Sequence, residues 1–504
     1  MRKNVLFLIT HDVSRCRFEF EGGQGKCPNL NQLAQESTQF SMHYSNVPLC
    51  GPSRANIFTG LRPPTTGRYN NDPFFGAYRD AHPGFMTLPE AFMNGGYHSA
   101  GIGFILHDTD PGSYSEAEWF PKIENTFGGL VGKMDPSLTY YYVTDESRQV
   151  IEDRLRILIS EGQIDENLCP VRDHSTPVEE GKQYSDNGTM RRVRGPMLEC
   201  ADVPDEAYYD GKVGAHAAEF IRSYDRKEPF FLAVGFQSTH TPYCVPKKYW
   251  DLYDREKLAM PPYRQDPADS PEWAGGDSEP GQFYHMNGYT KPWRANDEQT
   301  REMTHGHLAA ISYVDAQVGK ILAALKEKGL QDDTIIVFTT DHGFHDGEHS
   351  YWGKHNVWDQ SMAVPLLVNV PGMARGRREI RTVTEHVDLY PTLCELCGIK
   401  TPEKLEGQSL MPLIDGETEK LHDAVYASRK HMWHDRIKAY AVARSVRTDR
   451  FRFNSYIDKA GSEIYAELFD YKNDPEERFN HFDNPAYSEM VAGMRRLMNR
   501  QDRY

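Results

Sequence analysis

Three runs constrain the fold of this chain more than anything else in it: NVLFLIT at Asn4–Thr10, PFFLAVGF at Pro229–Phe236 and TIIVFTT at Thr334–Thr340. Apolar runs of this length without polar alternation mark strands buried on both faces. Two further strands are expected, at Tyr97–Gly101 and in AVPLLVNV at Ala363–Val370. Between them lie helical stretches at Asn29–Ser37, after Thr87 as far as Gly95-Gly96, and at His307–Gly329. The last places Leu308, Ile311, Val314, Val318, Ile321, Leu322 and Leu325 on one face. Strands alternating with amphipathic helices imply an α/β fold, with a large, mostly parallel sheet sandwiched by helices.

The pattern changes from about Ala424. Short segments such as VYASRK, YAVARSVRT, RFRFNSYI and AELFDYKND alternate with turns, and a final helix is expected near Ser488–Gln501. The reading is therefore an N-terminal domain over 1–423 and a smaller antiparallel α+β subdomain over 424–504. Two stretches look inserted into the first: 137–204, charged and irregular, and 253–296, rich in Pro, Gly, Asp and Trp. Loops of that length usually carry function or lack order.

With 39% apolar and 26% charged residues, the composition is that of an ordinary globular protein. A formal charge of −16 argues against nucleic acid as a partner, because phosphate neutralisation needs a basic surface. No continuous apolar run of about 18 residues occurs, so no membrane span is expected. The eight cysteines are scattered, and Cys394 and Cys397 lack a second pair that would complete a zinc site, so buried thiols are expected there. The start, MRKNVLFLIT, reads as a strand rather than a signal peptide. A cytoplasmic location follows if Met1 is native, and a periplasmic or secreted one if a signal peptide was trimmed.

Chemistry-bearing residues stand just beyond the buried strands: His11-Asp12, His240 and Asp341-His342. Ligands of open α/β sheets bind beyond the carboxyl ends of strands, so these residues are expected to meet in one site. The segment Leu49-Cys50-Gly51-Pro52-Ser53-Arg54, continuing to Thr59-Gly60, identifies the chemistry. It resembles the sulfatase family of alkaline-phosphatase-like enzymes, whose signature is Cys-x-Pro-Ser-Arg with a Thr-Gly some five residues on. The resemblance runs from Asn4 to ELFDYKNDPEERFNH and implies that fold.

The resemblance further implies that a formylglycine-generating maturation enzyme oxidises Cys50, and that the hydrated aldehyde attacks sulfur. Arg54 would neutralise and orient nucleophile and sulfate. Asp12, Asp341 and His342 match positions that hold a divalent cation, normally Ca2+, beside residue 50. His11 stands where relatives carry an acidic residue. It either ligates, making Mn2+ or Zn2+ plausible, or only braces a ligand. His240 matches the acid that protonates the leaving alkoxide, and Lys354 matches a sulfate-oxygen contact.

Phe104 replaces a family lysine that bridges nucleophile and substrate. His107, three residues on, matches a family histidine and is one candidate to compensate. A different substrate is the other explanation, since phosphonate monoester and phosphodiester hydrolases of the same superfamily also use formylglycine. FTGLRPPTTGRYNND, TLPEAFMNGGYHSAGIG and FFLAVGFQSTHTPYCVPKKYWDLY bring the chain closest to iduronate-2-sulfatase-like carbohydrate sulfatases. The expected substrate is thus a sulfated small molecule or saccharide. Arg79 is a candidate anion contact, and Trp273, Tyr284, His285, Tyr289 and Trp293 are candidates for stacking or hydrogen-bonding a sugar. Oligomerisation stays open.

Overall fold

The computed structural model describes residues 2–122, 129–133, 141–162, 164, 168, 195–271, 274, 279–280, 295–372, 378–434 and 439–501. Trp273, Tyr284, His285, Tyr289 and Trp293 fall outside the described residues, as does half of the stretch 137–204.

Seven strands form the central sheet: β1 (Asn4–Thr10), β2 (Thr38–Phe40), β3 (His98–Gly103), β4 (Phe230–Gly235), β5 (Thr334–Thr340), β6 (Leu366–Asn369) and β7 (Arg378–Ile380), in spatial order β7-β2-β6-β5-β1-β4-β3. Only β6 runs against its neighbours, so the sheet is mixed and mostly parallel. Strand alternation divides its side chains between two cores. Leu6, Leu8, Leu232, Val234, Ile336 and Phe338 enter one, and Val5, Phe7, Ile9, Ala233, Ile335 and Val337 the other. The first core is closed by helices Tyr209–Ser223 and Asp297–Lys328, the second by Cys50–Thr59, Leu88–Asn94 and Leu389–Cys397.

The Asp297–Lys328 helix begins ten residues before its apolar stripe suggests. A capping box between Asn296 and Gln299 starts it, and Gly329, at φ +73°, ends it. An 18-residue window of this helix reaches a mean hydropathy of 1.4, yet 72% of that window is buried inside the protein, as befits a core helix. The AVPLLVNV segment differs from expectation. Pro365 has no N–H for a ladder and splits it: Ala363–Val364 pairs with His43–Tyr44 in a separate small sheet, and only Leu366–Asn369 joins the main one. Within the stretch read as irregular, Asp145–Ser160 is a helix, capped by Thr144 and anchored by buried Ile151 and Leu155.

The C-terminal portion is a four-stranded antiparallel sheet, β8 (Val425–His434), β9 (Ala439–Arg447), β10 (Phe451–Ile457) and β11 (Glu463–Asp470), followed by the helix Ser488–Gln501. Tyr456, Phe469 and Ala443 pack on Val357 and Trp358 of the larger domain. Cys394 and Cys397 are free, buried thiols.

Candidate active site

Cys50 opens a helix whose ten residues are all buried. Phe58 anchors it on the sheet against Phe7, ring centroids 5.4 Å apart. Gly51 is closely approached: a Cβ there would meet Arg68 Nη2 at 2.8 Å and Asn71 Oδ1 at 2.9 Å, and those side-chain ends would have to shift. Gly60, at φ +67°, ends the helix in the left-handed conformation that glycine adopts without strain. Arg54 follows Cys50 by one helical turn, so both face the strand ends.

Those strand ends converge on Cys50. Its Sγ lies 2.9 Å from His11 Nε2, 3.5 Å from His342 Nε2 and 3.9 Å from Asp12 Oδ1. His11 Nε2 is 3.3 Å from both Asp12 Oδ1 and Asp341 Oδ2, and His342 Nε2 is 3.3 Å from Asp12 Oδ1. Potential ligand atoms of His11, Asp12, Cys50, Asp341 and His342 all lie within 4.8 Å of one another, and all five residues are buried. Asp12 reaches the cluster with φ +55°, a left-handed backbone that non-glycine residues adopt rarely and that clusters at functional sites. His342 Nδ1 donates to Gly343 O at 2.9 Å, which leaves the Nε2 lone pair turned inward.

The donor set of the cluster suits a cation. Burial pushes the Asp12 carboxyl up, aided by Asp341 and opposed by Lys354. Burial also opposes ionisation of Asp341, yet His342 and Arg54 hold that carboxyl down at about 2. His11 and His342 are kept neutral, His342 at about 4, chiefly by burial. Two carboxylates and two inward imidazole nitrogens around one point fit a divalent cation.

Arg54, expected to neutralise and orient nucleophile and sulfate, has its donors engaged within the protein. Its Nε donates to Asp341 Oδ2 at 3.0 Å, its Nη1 to Phe104 O and to Ile105 O (2.9 Å), and its Nη2 to Thr10 O at 3.4 Å. The guanidinium therefore ties three strand ends together and lends the site its charge. Phe104 is a wall rather than a charged group: its ring stacks on His11 at 5.1 Å and lies 4.6 Å from the Arg54 guanidinium. His107 meets the same ring at 5.3 Å, and burial with Arg54 and Arg68 nearby lowers it to about 4, so it is neutral. Lys354 donates to Asp12 Oδ2; burial disfavours its charge, but Asp12, Cys50 and Glu279 keep it protonated. His240 Nε2 lies 3.7 Å from Asp12 Oδ2, while its Nδ1 is 2.5 Å from Thr241 O. Arg79 is not brought to this cluster. Asp110 (2.8 and 2.6 Å) and Glu90 (2.8 Å) occupy its guanidinium, which makes it a structural tie rather than an anion contact.

The sulfatase family profile matches residues 3–399. The chain belongs to the sulfatase family. It is a sulfuric ester hydrolase, and membership implies a divalent metal and a formylglycine. A second profile, the C-terminal part of N-sulphoglucosamine sulphohydrolase, matches residues 347–503. A sulfatase of Formosa agariphila is 29% identical over 99% of this chain and 86% of its own length. Iduronate 2-sulfatase of Homo sapiens is 28% identical over 80% of this chain and 70% of its own. Among solved structures, a protein in complex with its substrate D-glucosamine-2-N,6-O-disulfate superposes with a TM-score of 0.74 at 19% identity, covering 100% of this chain and 98% of that one. The phosphonate monoester hydrolase of Agrobacterium radiobacter does so at 0.71 and 22%, covering 99% and 96%. These two likenesses show the alkaline-phosphatase-like fold.

Sequence reasoning missed several residues of this sulfatase site. Glu279 is buried 3.2 Å from His355 Nε2 and 3.8 Å from Lys354 Nζ. It lies within a stretch of irregular composition that offers no local signal. Ser53 and His386 both donate to Asp341 O, His386 at 3.0 Å, and hold the loop that carries Asp341 and His342. Thr239 Oγ1 bonds Thr10 Oγ1 at 2.9 Å and donates to His11 O at 2.5 Å. Ser53 could have been read from the motif; the other contacts join residues 45 to 229 positions apart in the chain.

Proposed function

We propose that the protein hydrolyses a sulfate ester on a sulfated sugar, with residue 50, matured to formylglycine, as nucleophile, and His11, Asp12, Asp341 and His342 holding a divalent cation. The observation that carries this reading is the placement of Cys50 Sγ within 3.9 Å of His11, His342 and Asp12 at the start of a buried helix. That helix directs the positive end of its dipole toward the nucleophile, where negative charge develops. A cation bound here would polarise the ester and favour the deprotonated nucleophile. Lys354, kept protonated, offers its ammonium to a sulfate oxygen. His240 holds a proton for the leaving oxygen at Nε2, its ring oriented by the Thr241 carbonyl. Phe104 excludes water on the His11 side. The sugar assignment draws on the iduronate 2-sulfatase and the disulfated glucosamine complex among the relatives.

Calcium favours an all-oxygen shell. The two imidazoles here suit a borderline ion such as Mn2+ or Zn2+ better. Paired turnover of an aryl sulfate and an aryl phosphodiester by the matured enzyme tests the reaction class. Preference for the sulfate is expected; a higher kcat/KM for the phosphodiester overturns this reading in favour of a phosphonate or phosphodiester hydrolase.

A further inference from the structure

Strand β8 turns one face of the C-terminal sheet toward the larger domain. Val425, Ala427 and Arg429 alternate onto that face, and Val425 and Ala427 pack with Tyr44 and Met362. Arg429 is 8% exposed. Its Nη1 donates to Tyr69 O at 3.3 Å, its Nη2 lies 3.2 Å from His355 Nδ1, and its Nε has no partner.

Every other buried arginine among the described residues has a carboxylate within ion-pair distance: Arg17 has Asp346, Arg54 has Asp341, Arg68 has Asp108, and Arg447 and Arg452 share Asp359. Arg429 has none among them. Burial without such compensation pulls its pKa down to about 10. A buried guanidinium in that condition is costly unless an anion completes it.

Its position supplies the anion's source. His355, the neighbour of Lys354, joins Arg429 to the reaction centre: His355 Nε2 lies 3.2 Å from Glu279, and Lys354 reaches Asp12. The His355 side chain keeps 29% exposure and that of His240 18%, so this edge of the site is open. Resting on the sulfated-sugar reading above, we infer that Arg429 binds a second anionic substituent of the substrate, a carboxylate or a further sulfate on the sugar bearing the scissile group. The forked donors of arginine match either group. Selectivity in this sulfatase would thus come in part from its C-terminal sheet.

The test uses the full-length, metal-loaded, matured enzyme with three substrates: a neutral hexose monosulfate, a uronic acid monosulfate and a doubly sulfated hexosamine. Wild type should prefer one of the two dianionic sugars, and which one distinguishes carboxylate from sulfate. Arg429→Met should lower that preference ratio by about 10- to 100-fold, mainly through KM. Arg429→Lys, which keeps charge but not the fork, should fall between the two. An unchanged ratio in Arg429→Met overturns the inference, as does equal wild-type turnover of all three sugars. Should Arg429→Met fail to fold, a wild-type ratio in Arg429→Lys overturns it. Failure of the matured wild type to hydrolyse any sulfate ester overturns the underlying reading instead.

Discussion

Cys50 and His11 carry the two sharpest tests at the level of single residues. Cys50 is small and sits at a helix start, so Cys50→Ala should abolish sulfatase turnover while thermal unfolding stays within about 2 °C of wild type. Residual activity above about 1% would contradict its role as nucleophile. His11 Nε2 faces the same point as Asp12 and Asp341, 3.3 Å from each. His11→Asp makes the donor set harder and more negative, so the bound metal should shift toward calcium. Elemental analysis of both proteins purified from one mixed-metal medium decides this, and identical metal content would show that His11 is not a ligand. Asp12, Asp341, His342, Cys50 and Lys354 were all legible in the sequence, because a short motif and strand-end positions mark them. Glu279 and Arg429 were not. Nothing local distinguishes a carboxylate within an irregular stretch, or an arginine in an edge-like strand, from a solvated side chain.

Elements position the site by holding the loops after the strands. Asp210, in the first turn of the helix Tyr209–Ser223, accepts hydrogen bonds from Gln237 N at 2.9 Å and Ser238 N at 2.7 Å. It thereby holds the loop that carries Thr239 and His240. Asp210→Asn replaces one acceptor oxygen with a donor and should lower kcat/KM about 10-fold by displacing His240. Burial raises the Asp210 carboxyl to about 6, against the opposing backbone hydrogen bonds. Its folded pKa therefore exceeds its unfolded value, and its contribution to stability is full below about pH 4 and lost as pH rises through about 6. In that window the unfolded chain holds fewer protons than the folded one. The stability of wild type relative to Asp210→Asn should therefore fall between pH 4 and pH 6.5. Urea titrations of both proteins at the two pH values check this, and a pH-independent difference would remove the assignment.

Across the whole molecule, the C-terminal sheet is bound to the larger domain by a buried polar seam as well as by apolar packing. Arg452 Nη2 pairs with Asp359 at 2.8 Å and its Nη1 donates to Val357 O at 3.1 Å, while Trp358 Nε1 donates to Glu467 at 3.1 Å. Removing Arg452 weakens the compensation of Asp359, which keeps Arg447 at 3.6 Å, so Arg452→Met should cost about 2 kcal/mol and lower the unfolding temperature by a few degrees. Because the same sheet carries Arg429, loosening the seam should also raise KM. Calorimetry and steady-state kinetics on this variant measure the two effects, and a destabilised protein with wild-type KM would separate seam from site.

The sequence by itself determined the class of sheet, the strand ends that bear polar groups and the motif whose cysteine meets them. Each of these is written in contiguous residues, through apolar period and a local motif. Only the tertiary structure decided that Arg54 braces three strand ends, that Arg79 is a structural tie, and that Pro365 divides a strand. It also decided that a C-terminal arginine reaches the edge of the site. These outcomes depend on which groups distant in the chain satisfy one another's hydrogen bonds and charges once water is excluded, and no local pattern encodes that competition.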